Sequence, residues 1–131
     1  MKTSAVAVLC LLSLFAWSPA GSGEKATSLS AARAAIDANL ATAEGKAFDE
    51  RVGKEFVDKH MAPLRQCKTT AGNDLRSFWI LLKLDQNGAV QELLLYPETK
   101  LGTCARDAYL KDKFLPPPKP AYWVGIYLKL S

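Results

Sequence analysis

Apolar positions follow two rhythms along this chain, and each predicts a different kind of element. In "SLSAARAAIDANLATAEG" the residues Leu29, Ala32, Ile36, Leu40 and Ala43 recur every three or four places, the spacing of one face of an α-helix. Ser28 or Ser30 serves as its N-cap and Gly45 as its stop. "KAFDERVGKEFVDKHMAPLRQC" carries a larger stripe of Phe48, Val52, Phe56, Val57, Met61 and Leu64, which makes it the principal core helix. Asp49 and Glu50 lie in its first turn, and Lys59 and His60 lie near its end, as the helix dipole favours. Pro63 ends or kinks it by removing a backbone donor.

Beyond the polar break "KTTAGND" the composition turns to β-formers. "SFWILLKL" and "AVQELLLYP" predict two antiparallel strands, and the "DQNG" between them supplies Asn87 and Gly88 for a hairpin turn. A turn of those two residues alone sets Lys83 opposite Glu92, with Ile80, Leu82, Leu93 and Leu95 on the other face. A three-residue turn through Gly88 with a bulge shifts that pairing, and both remain open. "TKLGTCARDAYLKDKF" predicts a third helix, with Thr103 as cap and Cys104, Ala108 and Leu110 or Tyr109 facing inward. "PPPKP" stops it and aims the chain, at low conformational entropy, into "AYWVGIYLKL". There Tyr122, Val124, Ile126, Leu128 and Leu130 alternate with Trp123, Gly125, Tyr127 and Lys129, the period of a strand with one buried face. The order α, α, β, β, α, β predicts an α+β fold, a three-stranded antiparallel sheet packed on helices.

Composition changes the picture mainly at the start. Residues 1–23 open with Lys2, continue with "AVAVLCLLSLFAW" and turn small and polar in "SPAGSG", the layout of a secretory signal peptide. The apolar run Ala5 to Trp17 is 13 residues, short of the roughly 20 a spanning helix needs. Cys10 is a poor lipid-anchor site, because Leu9 before it is bulky. Residues 24–131 are then expected to form one domain. Removal of Cys10 leaves Cys67 and Cys104 from the three cysteines, and an even pair in an exported chain predicts a disulfide. Basic residues outnumber acidic ones by 16 to 13 once Lys2 is set aside, and they are scattered. No basic stripe supports nucleic-acid binding.

The hairpin "LLKLDQNGAVQELLL", the short helix, the exit "FLPPP" and the closing strand "WVGIYLKL" resemble the C-terminal domains of TonB and TolA, periplasmic modules of cell-envelope systems. The resemblance covers about residues 77–131. The Cys67 and Cys104 pair places it nearer the disulfide-bearing TolA-like branch. That family usually carries the domain on a membrane anchor and a long spacer, and neither pattern stands ahead of this one. The resemblance therefore implies the domain and its manner of contact, and not energy transfer.

In that architecture "SFWILLKL" is central and the last strand is an edge, whose unpaired backbone groups take an added strand from an envelope protein or peptide. Trp123 and Tyr127 flank Gly125 on one face, a side-chain gap that seats a partner residue. The plainer reading is that both aromatics cover the sheet against Trp79 while Lys129 guards the edge. "PPPKP" is read as a rigid connection before it is read as a polyproline ligand. His60, the single histidine, is expected to be solvated at a helix end, and no motif gives Ser77, Asp74 or Asp58 a catalytic role beside it. Two cysteines and one histidine do not complete a metal set. The expectation is a binding module without catalysis, cofactor or metal; a secreted inhibitor or effector using its helical surface is the alternative.

Overall fold

The computed structural model describes residues 26–130, and the leader expected at 1–23 lies outside them. Four helices and three strands follow in the order α1 (Leu29–Leu40), α2 (Ala43–Lys59), α3 (Ala62–Ala71), β1 (Phe78–Leu84), β2 (Val90–Tyr96), α4 (Lys100–Leu110) and β3 (Tyr122–Leu128). The fold is α+β, with the sheet in the order β2-β1-β3 and both neighbours antiparallel to the central strand.

Capping chemistry divides the N-terminal half. The Ser28 hydroxyl accepts from the Ala31 N–H to start α1, and the Thr42 hydroxyl accepts from the Gly45 N–H to start α2. Gly45 is thus in the first turn of α2 rather than the stop of α1. Its lack of a side chain is required there, because a Cβ would come within 1.7 Å of the Asn39 carbonyl oxygen. The long second helix expected from the sequence is two helices. The chain breaks at His60 and Met61, and Pro63 sits in the first turn of α3, where a missing N–H costs nothing. α3 then continues through Lys68, Thr69 and Thr70, which the sequence had suggested as loop.

The hairpin combines both open alternatives. Gly88 adopts φ 86°, and the Asp85 N–H donates to the Ala89 carbonyl at 2.9 Å, so three residues form the turn. A bulge between the Leu84–Val90 and Lys83–Glu92 pairs then restores the register of the two-residue turn. In α4 the cap is Thr99, whose hydroxyl accepts from Gly102 N–H, and not Thr103. Leu101, Ala105 and Tyr109 face the core while Cys104, Ala108 and Leu110 are exposed, a rotation of the helix relative to the expected inward set. Cys67 of α3 and Cys104 of α4 form the disulfide, with their Cα atoms 5.8 Å apart.

The sheet has helices on both faces. Phe78, Ile80, Leu82 and Leu84 of β1, Leu93 and Leu95 of β2, and Tyr122, Val124 and Ile126 of β3 build the main core with Phe48, Val52 and Phe56 of α2, Leu64 and Ala71 of α3 and the inner face of α4. On the opposite face α1 lays Ala32 and Ile36 over Leu81 and Trp123. Thr27 fastens the start of α1 to this face, its N–H and hydroxyl both donating to the Glu92 carboxylate, at 2.8 and 2.9 Å. Among the described residues no helix is long and apolar enough to cross a membrane.

Candidate functional site

The register of the sheet arranges the α1-side residues in three rows. Tyr96, Trp79 and Tyr127 form one row across the strands; Leu94, Leu81 and Gly125 form the next; Glu92, Lys83 and Trp123 form the third. α1 covers the second and third rows and stops short of the first. Trp79, Tyr96 and Tyr127 therefore stay 41%, 47% and 51% exposed, whereas Trp123 is 5% exposed. The expected pair of exposed aromatics around Gly125 is thus divided. Tyr127 is at the surface, its ring 5.0 Å from that of Trp79, and Trp123 is core beneath α1. Nor is the gap at Gly125 empty: a Cβ there would meet Ile36 and Trp79 at 3.3 Å. Glycine lets the helix and the tryptophan close over the strand.

Between α1 and the aromatic row runs a groove of about 370 Å³, with Leu81 and Gly125 in its floor, Ile36, Arg33 and Asp37 on the helix side, and Asp49 reaching in from α2. That volume is within the usual range for bound ligands. Asp49 is half-buried and takes part in no ion pair among the described residues. Burial, with a smaller contribution from the Glu50 charge, pushes its carboxyl above the ordinary range.

The groove opens onto the free edge of β3. Asn39 Nδ2 donates to the Trp123 carbonyl at 3.1 Å, which shows that this carbonyl points away from β1. Backbone direction alternates along a strand, so Gly125 and Tyr127 also point outward, while Val124 and Ile126 face β1. Among the described residues the outward N–H and C=O groups of Gly125 and Tyr127 have no hydrogen-bond partner. The strand is therefore an edge, covered near Trp123 by Asn39 at the end of α1 and, among the described residues, free at Gly125 and Tyr127.

His60 differs from its expected solvated position. It is 5% exposed, its Nδ1 lies 2.6 Å from Asp112 Oδ2, and its Nε2 lies 3.6 Å from Glu55 Oε1. Its ring stacks on Phe114 at 4.3 Å, and its carbonyl accepts from the Tyr109 hydroxyl at 2.7 Å. Burial, reinforced by the Asp112 charge, pushes the Tyr109 phenol far above its ordinary range, which keeps it a hydrogen-bond donor. The cluster ties the end of α2 to the segment after α4. Ser77 lies elsewhere, accepting from the Leu130 N–H, and Asp74 is paired with Arg76. Among the described residues no three His, Cys, Asp or Glu side chains are placed to hold one metal ion together.

Sequence reasoning placed Gly125 and Tyr127 at this site and missed Tyr96 and Asp49. Tyr96 was visible only as the end of a strand. Asp49 carried the signal of a helix N-terminus, and nothing in its neighbourhood in sequence ties it to β3. No family model, no curated protein and no solved structure matches the chain.

Proposed function

We propose that this chain is a non-catalytic protein-binding module of the cell envelope, which takes an extended segment of its partner as a fourth strand along β3. The observation that carries the reading is the unpartnered outward backbone of Gly125 and Tyr127 beside the exposed row of Tyr96, Trp79 and Tyr127. An edge of this kind gives affinity through main-chain hydrogen bonds, and the neighbouring side chains give selectivity. Export to the periplasm is supported by the Cys67–Cys104 disulfide, since such bonds persist in oxidising compartments, and by the leader-like pattern of residues 1–23. The resemblance to TonB and TolA C-terminal domains supports the same mode of contact.

The backbone alternation supplies the test. Ile126→Pro removes an N–H that belongs to the ladder with β1 and should unfold the domain. Tyr127→Pro removes an outward N–H and should leave a folded protein that no longer binds. Tyr127→Ala, which lacks the ring but keeps the N–H, separates the two contributions. Partners are captured from envelope fractions with a photo-crosslinker at position 127 and, for the rival helical surface, at Lys54 beside the exposed Val57. Binding of each captured protein to the purified variants is then measured. Undiminished binding by folded Tyr127→Pro overturns the edge reading, and capture at position 54 alone assigns the contact to the helices.

A further inference from the structure

A strand added to β3 has one side chain that matters more than the others, the one directly opposite Gly125. Cross-strand neighbours point to the same face of a sheet, so this side chain lies on the α1 side, at the mouth of the groove. Gly125 presents no side chain to block it. Around the position are the apolar Ile36 and Leu81, the rings of Trp79 and Tyr127, and the carboxylates of Asp49 and Asp37; among the described residues Arg33 is the one cation in the lining. A long aliphatic stem fits the apolar floor, and a terminal cation fits the ring faces and the two acids.

From this arrangement we infer that the partner strand carries a lysine or arginine opposite Gly125, with its stem along Ile36 and Trp79 and its charged end at Asp49. The inference rests on strand addition at β3. Charge supports it: Asp49 is half-buried without an ion pair among the described residues, and its raised pKa marks a carboxylate short of a compensating cation. An incoming ammonium or guanidinium supplies that charge. A glutamate at the same place meets two like charges and loses the favourable ring faces.

The test uses five-residue extended peptides with threonines around a central lysine, arginine, norleucine, glutamine or glutamate, titrated against the purified protein. Amide shifts at Gly125 and Tyr127 report strand addition, and the shift of the Trp79 indole N–H resonance reports groove occupancy. Lysine and arginine peptides should bind about fivefold more tightly than norleucine, the combined size of a cation–π contact and an exposed ion pair, and glutamate should bind worst. Asp49→Asn should remove most of that preference, bringing lysine and arginine binding close to that of norleucine measured on the same variant. Its melting temperature should be no lower than the parent's, because the carboxylate it replaces is disfavoured by its surroundings. Equal binding of lysine and norleucine to the parent, with both shifting Gly125 and Tyr127, overturns the basic preference and leaves strand addition standing. If no peptide moves those two amides, strand addition fails and this inference fails with it.

Discussion

At Gly45 a single methyl group would bring two helices into conflict. The added Cβ of Gly45→Ala falls on the backbone oxygen of Asn39, which cannot rotate away as a side chain would. The same Asn39 caps the Trp123 carbonyl on the β3 edge. We expect a loss of about 1–3 kcal/mol, the usual cost of forcing extra atoms into a packed site, read as a lowered thermal midpoint. Asp74 gives a pH-dependent counterpart. Hydrogen bonds from Arg76 and from the Lys100 N–H hold its carboxyl far below the ordinary range. A depressed carboxyl pKa adds stability above the unfolded value near 3.9, and that contribution is lost as pH falls toward the folded value. Asp74→Asn should therefore melt earlier than the parent at pH 7, with the difference narrowing once the pH passes below about 3.9. A difference that is constant with pH would point to packing in place of charge.

Helices α3 and α4 are joined covalently as well as by packing. The Cys67–Cys104 bond closes a separation of 37 residues that contains the whole β1–β2 hairpin, so it restricts the unfolded chain over the central part of the domain. The chain-entropy estimate for such a loop is about 4 kcal/mol, an upper figure since residual structure in the unfolded state reduces it. Cys67→Ser with Cys104→Ser should lower the denaturation midpoint accordingly. In protein taken from its native compartment, non-reducing mass analysis should show the loss of two hydrogens. Two freely alkylated thiols there would remove the support for an oxidising compartment. Cys67 is buried in the main core and Cys104 is on the exposed side of α4, so the bond ties the core to the outer face of that helix.

For the molecule as a whole, the two faces of the sheet are unequally held. Among the described residues one face carries the main core under α2, α3 and α4; the other carries the smaller cluster of Ala32, Ile36, Leu81 and Trp123 under α1, flanked by Leu29, Ala35, Leu40 and Leu94, with the Thr27 to Glu92 hydrogen bonds at its start. Local opening follows buried apolar contact, so α1 should exchange its amide hydrogens well before the strands do. Ile36→Ala should widen that gap. Its cost should fall near the low end of the roughly 2–5 kcal/mol typical of buried aliphatic truncations, because the residue borders the groove. In a Trp79→Phe background, tryptophan emission should shift to the red as α1 loosens and uncovers Trp123, while the sheet stays protected. Simultaneous exchange of α1 and β1 would mean that the two faces form one cooperative unit.

Local pattern was sufficient for the strands. Strict alternation in "AYWVGIYLKL" and the turn chemistry of Asn87 and Gly88 indicated three strands and the main apolar face of each, because the side-chain period in a strand is two. The central position of β1 was implied only by the resemblance, and the sheet order β2-β1-β3 is a property of the tertiary structure. The even cysteine pair determined a bond by the same economy of alternatives. Helix boundaries at Thr42, His60 and Thr99 were not legible, since Gly45, Pro63 and Thr103 fit more than one cap position and the neighbouring chain chooses between them. Trp123 and Tyr127 look identical by alternation, yet one is core and the other is surface. That division depends on where α1 stops across the sheet, which is set by packing between residues far apart in the chain, such as Asn39 and Trp123, 84 positions apart. Asp49 joined the groove for the same reason: periodicity says which face of an element is apolar, and only tertiary packing decides which polar residue from another element comes to rest beside it.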